Sequence, residues 1–243
     1  VAIWRLDGTY ARFRSATVQR PRWRRQRELL RLGVPIGLAT LFEVTSFTFM
    51  AILIARLGTT AVAGHQIVAN LVALLFMLPL SIGLATSVLV AQSLGAVAPR
   101  QARSVAWRGL RLAAAIAVAA ATALWLLRES VVGWYTADAA VAAVALSLLV
   151  LAVPFHVADA VQGVCSFVLR GYRQTLWPMV IYGVALWGLG LGGGTWIAYN
   201  ETWLGPPRGA LGFWEAALVA VALTAAALVV LTAIESNRQV ADR

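Results

Sequence analysis

Residues 32–55 read "LGVPIGLATLFEVTSFTFMAILIA", and the one charged position among them is Glu43. At a rise of 1.5 Å per residue a helix of that length reaches about 36 Å, and a bilayer's hydrocarbon core is about 30 Å thick. The stretch is expected to cross a membrane as a helix. A charge at the centre of such a helix costs about 2.5–3.5 kcal/mol on the mild insertion scale, so Glu43 needs a reason to be there.

The rest of the chain has the same character. Of its 243 residues 60% are hydrophobic and 12% charged, where a soluble domain carries about 25% charged residues; the mean hydropathy is +0.78. Six segments are apolar enough to span: 32–55, 61–94, 109–127, 139–169, 175–198 and 209–234. The expectation is an all-α integral membrane protein with one six-helix unit, a basic segment at 1–31 and a short tail at 235–243. No short apolar stretch with a cleavage site opens the chain, so no signal peptide is expected. It begins on Val1, which points to a piece of something longer.

All 20 basic residues are arginines, giving a net charge of +10. They flank the spans instead of forming one patch, which argues against nucleic-acid binding. Arg5, Arg12, Arg14, Arg20, Arg22, Arg24, Arg25, Arg27 and Arg31 precede span one, and Arg100, Arg103, Arg108 and Arg111 lie between spans two and three or at the start of span three. Arg170, Arg173, Arg238 and Arg243 fall on the same side, and Arg56, Arg128 and Arg208 on the other. By the positive-inside rule both termini are cytoplasmic. The segment "RPRWRRQRELLRLG" then lies beside anionic lipid headgroups. A single cysteine, Cys165, rules out an internal disulfide and a cysteine-based metal cluster.

Few ionisable groups remain inside the spans: Glu43 in the first, His65 near one end of the second, His156 and Asp159 in the fourth. Glu215, in the first turns of the sixth, can reach the interface. Glu43 is about 18 Å along its helix from Arg31, and Asp159 about 16 Å from Arg170, so both carboxyls fall near the midplane on helices that run in opposite directions. Intramembrane acids mark ion or substrate pathways, and burial beside a like charge favours the protonated form of a carboxyl. His156 shares a helix face with Asp159. "GLGLGGG", 188–194, has neither the Lys-Ser/Thr nor the preceding strand of a phosphate loop; Gly190 and Gly194 instead permit close helix approach, as do Gly33 and Gly37. Trp107, Trp177 and Trp203 suit an interfacial belt. No Ser-His-Asp, HExxH or paired-acid arrangement points to an enzyme.

The stretch "GVPIGLATLFEVTSFTFMAILIARLGTTAVAGHQIVANLVALLFMLPLSIGLATSVLVAQSLG" resembles the seventh and eighth helices of MATE (multidrug and toxic compound extrusion) transporters, and "FHVADAVQGVCSFVLRGYRQT" resembles their tenth helix and the loop after it. The resemblance implies the C-terminal six-helix lobe of a twelve-helix transporter of the NorM-like bacterial branch. Residues 1–31 then match the inter-lobe linker, and an N-terminal lobe is missing from the chain. It further implies a cation or proton site at Glu43 and Asp159, with H⁺ or Na⁺ as coupling ion and no other cofactor or metal. Substrate-lining positions fall on Phe47, Gln66, Asn70, Phe76, Phe155 and His156. Some members carry Tyr where this chain has Phe155; the lost hydroxyl removes a sodium ligand and leaves proton coupling the better fit.

The function so implied is secondary active efflux of amphipathic, mostly cationic drug-like compounds across the inner membrane of a bacterium, with membrane lipids as the other partner and no nucleic acid. Two alternatives stay open. A lipid-carrier flippase of related fold would want a cationic cavity for its anionic substrate. A non-transporting membrane scaffold would tolerate apolar replacements of both acids.

Overall fold

The six apolar segments fold into six helical crossings long and apolar enough to traverse a membrane. The computed structural model describes residues 22–202 and 205–242; Arg5, Arg12, Arg14, Arg20, Trp203, Arg243 and the side chain of Arg25 lie outside what it describes. The helices are α1 (Trp23–Ala55), α2 (Thr59–Gly95), α3 (Pro99–Tyr135) and α4 (Ala139–Gly171). A composite fifth crossing follows, then α7 (Gly209–Ala241).

Helices outrun the apolar spans. α1 begins at Trp23, so residues 23–31 of the basic segment continue the first helix. α3 extends well past 109–127 at both ends, and α7 carries most of the expected tail. Arginine, glutamine and alanine are good helix formers: their charge or polarity keeps these turns out of hydrocarbon without ending the helix.

Helix ends follow local chemistry. Pro99 opens α3, where its missing N–H is no loss. The Asp138 carboxylate caps α4 by accepting from the N–H of Ala140 at 2.8 Å and of Val141 at 3.3 Å. α2 and α4 close alike: Ala98 N–H donates to the Ser93 carbonyl and Val97 N–H to that of Leu94, as Gln174 does to Leu169 and Arg173 to Arg170. The left-handed position, usually glycine, is Val97 (φ 60°) in one turn and Arg173 (φ 63°) in the other.

The fifth crossing is the irregular one. α5 (Leu176–Tyr182) passes into a π-helical stretch, Gly183–Gly193, and ends as α6 (Gly194–Tyr199). Five glycines within GVALWGLGLGG weaken the preference for α geometry. The glycine spacing foreseen here is used: a Cβ on Gly194 would lie 3.1 Å from the Phe213 backbone, and one on Gly190 3.4 Å from the Ala220 methyl. The matching pair Gly33 and Gly37 meets nothing within 4 Å among the described residues.

α4 is the central element, packed against α2, α3 and α7. Leu148, Leu149, Phe155, Leu169, Phe213, Trp214 and Leu228 are almost fully buried around it. α3 contributes the buried small-residue stripe Ala102, Ala106, Ala113, Ala117 and Ala121, which lets the backbones come close. Outward faces carry exposed Leu41, Val44, Ile52, Leu74, Leu112 and Leu126, the surface a lipid environment requires. α1 sits to one side, mostly against α5 and the π stretch.

Candidate functional site

Glu43 lies half-buried in the middle of α1, in a polar interval between apolar flanks. Ser46 and Thr48 turn their hydroxyls back onto the carbonyls of Glu43 and Val44, both at 2.9 Å. Such bonds satisfy the hydroxyls locally and soften the helix. Two contacts hold this part of α1 in place. The Trp187 indole N–H donates to the Phe42 carbonyl at 3.2 Å and reaches Thr45 Oγ1 at 3.3 Å. Nearer the helix end, the Tyr199 hydroxyl donates to the Leu53 carbonyl.

Asp159 faces this region from α4 and is buried. Its Oδ1 accepts from Gln162 Nε2 at 2.8 Å, an i,i+3 contact along one helix face. Asp159 and Glu43 lie within electrostatic reach of one another, so the two acids singled out by depth belong to one cluster. Tyr182 of α5 joins them. It is 2% exposed, lies beside Ser166 of α4, and is within electrostatic reach of both carboxylates. Arg170, in the last turn of α4, stacks its guanidinium 4.4 Å from the Phe167 ring centroid and also acts on Glu43 and Tyr182.

Gln162, Ser166, Arg170 and Tyr182 were not singled out by sequence. The first three follow Asp159 at +3, +7 and +11, one helix face, and that spacing is the signal that could have found them. Tyr182 left no such signal, because another helix brings it in. Arg170, counted among the flanking charges, also acts electrostatically on Glu43.

The expected substrate-lining residues separate into groups. Phe47 is half-buried and packs edge-to-face on Phe155 and Trp214, with ring centroids 5.7 and 6.4 Å away. Phe155 is 1% exposed and lies 5.5 Å from the Trp214 ring, so it backs Phe47 from inside the bundle. Trp214 donates its indole N–H to His65 Nδ1 at 3.2 Å, accounting for that buried histidine structurally. Phe76 covers Gly163, one turn beyond Asp159. Gln66 and Asn70 are exposed on α2, and Asn70 Oδ1 accepts from the Tyr135 hydroxyl at 2.7 Å. His156 is fully buried with neither ring nitrogen hydrogen-bonded.

A cleft of about 20 Å³ runs between Ser46, Phe47, Phe155 and Leu186. That is room for one water, far below a drug's needs. No cluster of three or more His, Cys, Asp or Glu occurs among the described residues. The oxygen donors beside the two carboxylates are neutral: the Tyr182 hydroxyl and Gln162 Oε1, a buried atom without a partner. Hard cations take such oxygens.

The family model MatE matches residues 35–196. Over 208 residues the chain is 44% identical to a probable multidrug resistance protein NorM of Aromatoleum aromaticum, covering 86% of this chain and 45% of that protein. It is 41% identical over 225 residues to a multidrug resistance protein MdtK of Pectobacterium atrosepticum, covering 92% and 49%. The chain thus spans about half the length of the curated relatives it matches. The backbone is similar to a crystal structure of a MATE protein in a bent conformation, with a TM-score of 0.84 at 16% identity, over 98% of this chain and 52% of that one. At that identity the likeness concerns the fold.

Proposed function

Because the chain belongs to the MatE family, we propose that it forms the second lobe of a cation-coupled antiporter exporting amphipathic, mostly cationic compounds. The observation that supports this reading is that Glu43, half-buried on α1, and Asp159, buried on the oppositely running α4, lie within electrostatic reach of one another. With both acids ionised, two carboxylates outweigh the single Arg170 guanidinium, and the cluster has room for one added positive charge. The coupling ion is cargo. Gln162 Oε1 and the Tyr182 hydroxyl would complete an oxygen set for Na⁺, whereas Phe155 in place of a tyrosine favours H⁺.

Cation uptake neutralises the cluster and changes how α4 packs on α1 and α5. A bundle with two packed arrangements then shifts its population toward the one that releases drug. Phe47 and its aromatic neighbours suit cationic cargo through ring-face attraction. The arginine distribution supports an inner-membrane orientation with both chain ends cytoplasmic. For the flippase alternative, one guanidinium facing two carboxylates is the wrong charge balance for an anionic substrate.

The test is drug efflux from proteoliposomes containing the full-length transporter, under proton and sodium gradients imposed separately. Glu43→Gln and Asp159→Asn should each abolish gradient-driven efflux while drug binding persists. Wild-type rates in both variants under either gradient would refute the reading.

A further inference from the structure

The first turns of α1 carry an arrangement that the helix itself disfavours. Arg24, Arg27 and Arg31 follow one another at three- and four-residue spacing and so share a face. No acid occupies the first turn, and the N-terminal end of a helix dipole is already positive. Stacked like charges at that end repel both one another and the dipole. The single acid of these turns, Glu28, is engaged in an ion pair with Arg173.

Arg173 reaches the same place from the turn after α4. It occupies the left-handed position of that turn, with φ 63°, where glycine would be free of strain. The turn needs no arginine there. Arg24, Arg27, Arg31 and Arg173, with Glu28 among them, line an open cleft of about 750 Å³. Among the described residues lining it, four arginines accompany one carboxylate. The preceding segment of the chain cannot balance them, since residues 1–21 hold four arginines and one acid, Asp7.

Around the cleft the surface turns apolar. Trp23, Leu29, Leu30 and Val34 are each at least half exposed on neighbouring faces of α1. The cleft therefore stands where a hydrocarbon-facing surface gives way to water, the level of phospholipid headgroups. We infer that it is a discrete binding site for a phosphate-bearing anion, filled by the headgroup of an anionic phospholipid. Guanidinium forks bind phosphate oxygens two at a time, and a phosphodiester here would relieve the repulsion among the three α1 arginines. The site differs from a general attraction between basic segments and anionic membranes in requiring Arg173, a residue far away in sequence. It does not depend on the transport reading.

The experiment is native mass spectrometry of the full-length protein released from nanodiscs of phosphatidylcholine doped with phosphatidylglycerol and cardiolipin. The variants are Arg173→Gly, which removes the guanidinium while relieving the backbone, the double change Arg27→Gln/Arg31→Gln, and Arg238→Gln as a control. Retained anionic lipid should fall about tenfold or more in the first two and match wild type in the control, with no retention of phosphatidylcholine. A thermal melt of Arg173→Gly at or above wild type separates loss of the site from loss of the fold. Equal retention in all variants would overturn the inference. Displacement of the lipid by millimolar inorganic phosphate, together with phosphate binding in detergent alone, would overturn the lipid assignment and make the cleft a soluble-anion site.

Discussion

Trp187 donates its indole N–H to the main-chain carbonyl of Phe42, the residue directly before Glu43, at 3.2 Å. The bond ties the π stretch of the fifth crossing to the α1 turn that presents the Glu43 carboxyl, so Glu43's position is set partly from outside its own helix. Trp187→Phe keeps the ring contacts with Phe42 and Phe49 and removes the donor. Interhelical hydrogen bonds of this kind are worth about 0.6 kcal/mol, up to about 1.7. The variant should melt slightly lower in detergent and lose several-fold in gradient-driven efflux, with drug affinity nearly unchanged. A fall in affinity at intact rate would assign Trp187 to substrate contact instead.

Gln162 holds Asp159 Oδ1 at 2.8 Å while its own Oε1 lacks a partner. Gln162→Leu should lower gradient-driven efflux about tenfold, and Gln162→Glu should lower it further by adding a third acid. Glu215 provides the contrast. It pairs with Arg208 at 2.9 Å on a partly exposed surface, where ion pairs contribute about 0–1 kcal/mol, so Glu215→Gln should transport as wild type.

Trp214→Phe tests the buried pair with His65. It leaves the Nδ1 acceptor unsatisfied at a site where both side chains are almost fully buried. The expected cost is about 1–3 kcal/mol, read as a lower melting temperature. His65→Phe in the same background should recover part of it, because removing both polar partners is cheaper than removing one.

Val97 and Arg173 close equivalent turns in left-handed geometry, and Val97 is an exposed β-branched residue. Left-handed geometry costs an L-residue about 1–2 kcal/mol. Val97→Gly should therefore raise the melting temperature, and Val97→Ile should not.

Membrane orientation can be read with single-cysteine labelling, since Cys165 is buried and should stay silent. Ala96→Cys and Ala137→Cys lie at opposite ends of α3 in exposed positions. Impermeant maleimide added outside should label position 137 and spare position 96. The reverse pattern would invert the proposed topology.

The six crossings were legible because a charge in hydrocarbon is costly enough to mark every boundary. The expectation that Glu43 and Asp159 work together rests on the same cost, as two expensive residues at matching depth. Helix ends were less so, because arginine-rich turns leave the bilayer yet stay helical, as at 23–31. Phe155, expected to line the substrate path, is 1% exposed against Trp214 and borders the small cleft beside Phe47; an aromatic near an acid has one sequence signature whichever way it faces. Tyr182 and Ser166 meet across two helices, and no spacing within either helix records that.

The composite fifth crossing also bears on how the protein is made. Of the six it is the least apolar, and the five glycines of its π stretch lower its intrinsic helical preference. Left alone in the translocon, such a segment has a weak claim to partition into lipid. Its glycine face is complementary to α7, the most apolar crossing, and the two are joined by a short connection. They are expected to leave the ribosome as a hairpin that enters the bilayer together, with α7 as the carrier. Truncation before α7 should then strand the fifth segment outside the membrane, where quality-control proteases would reach it.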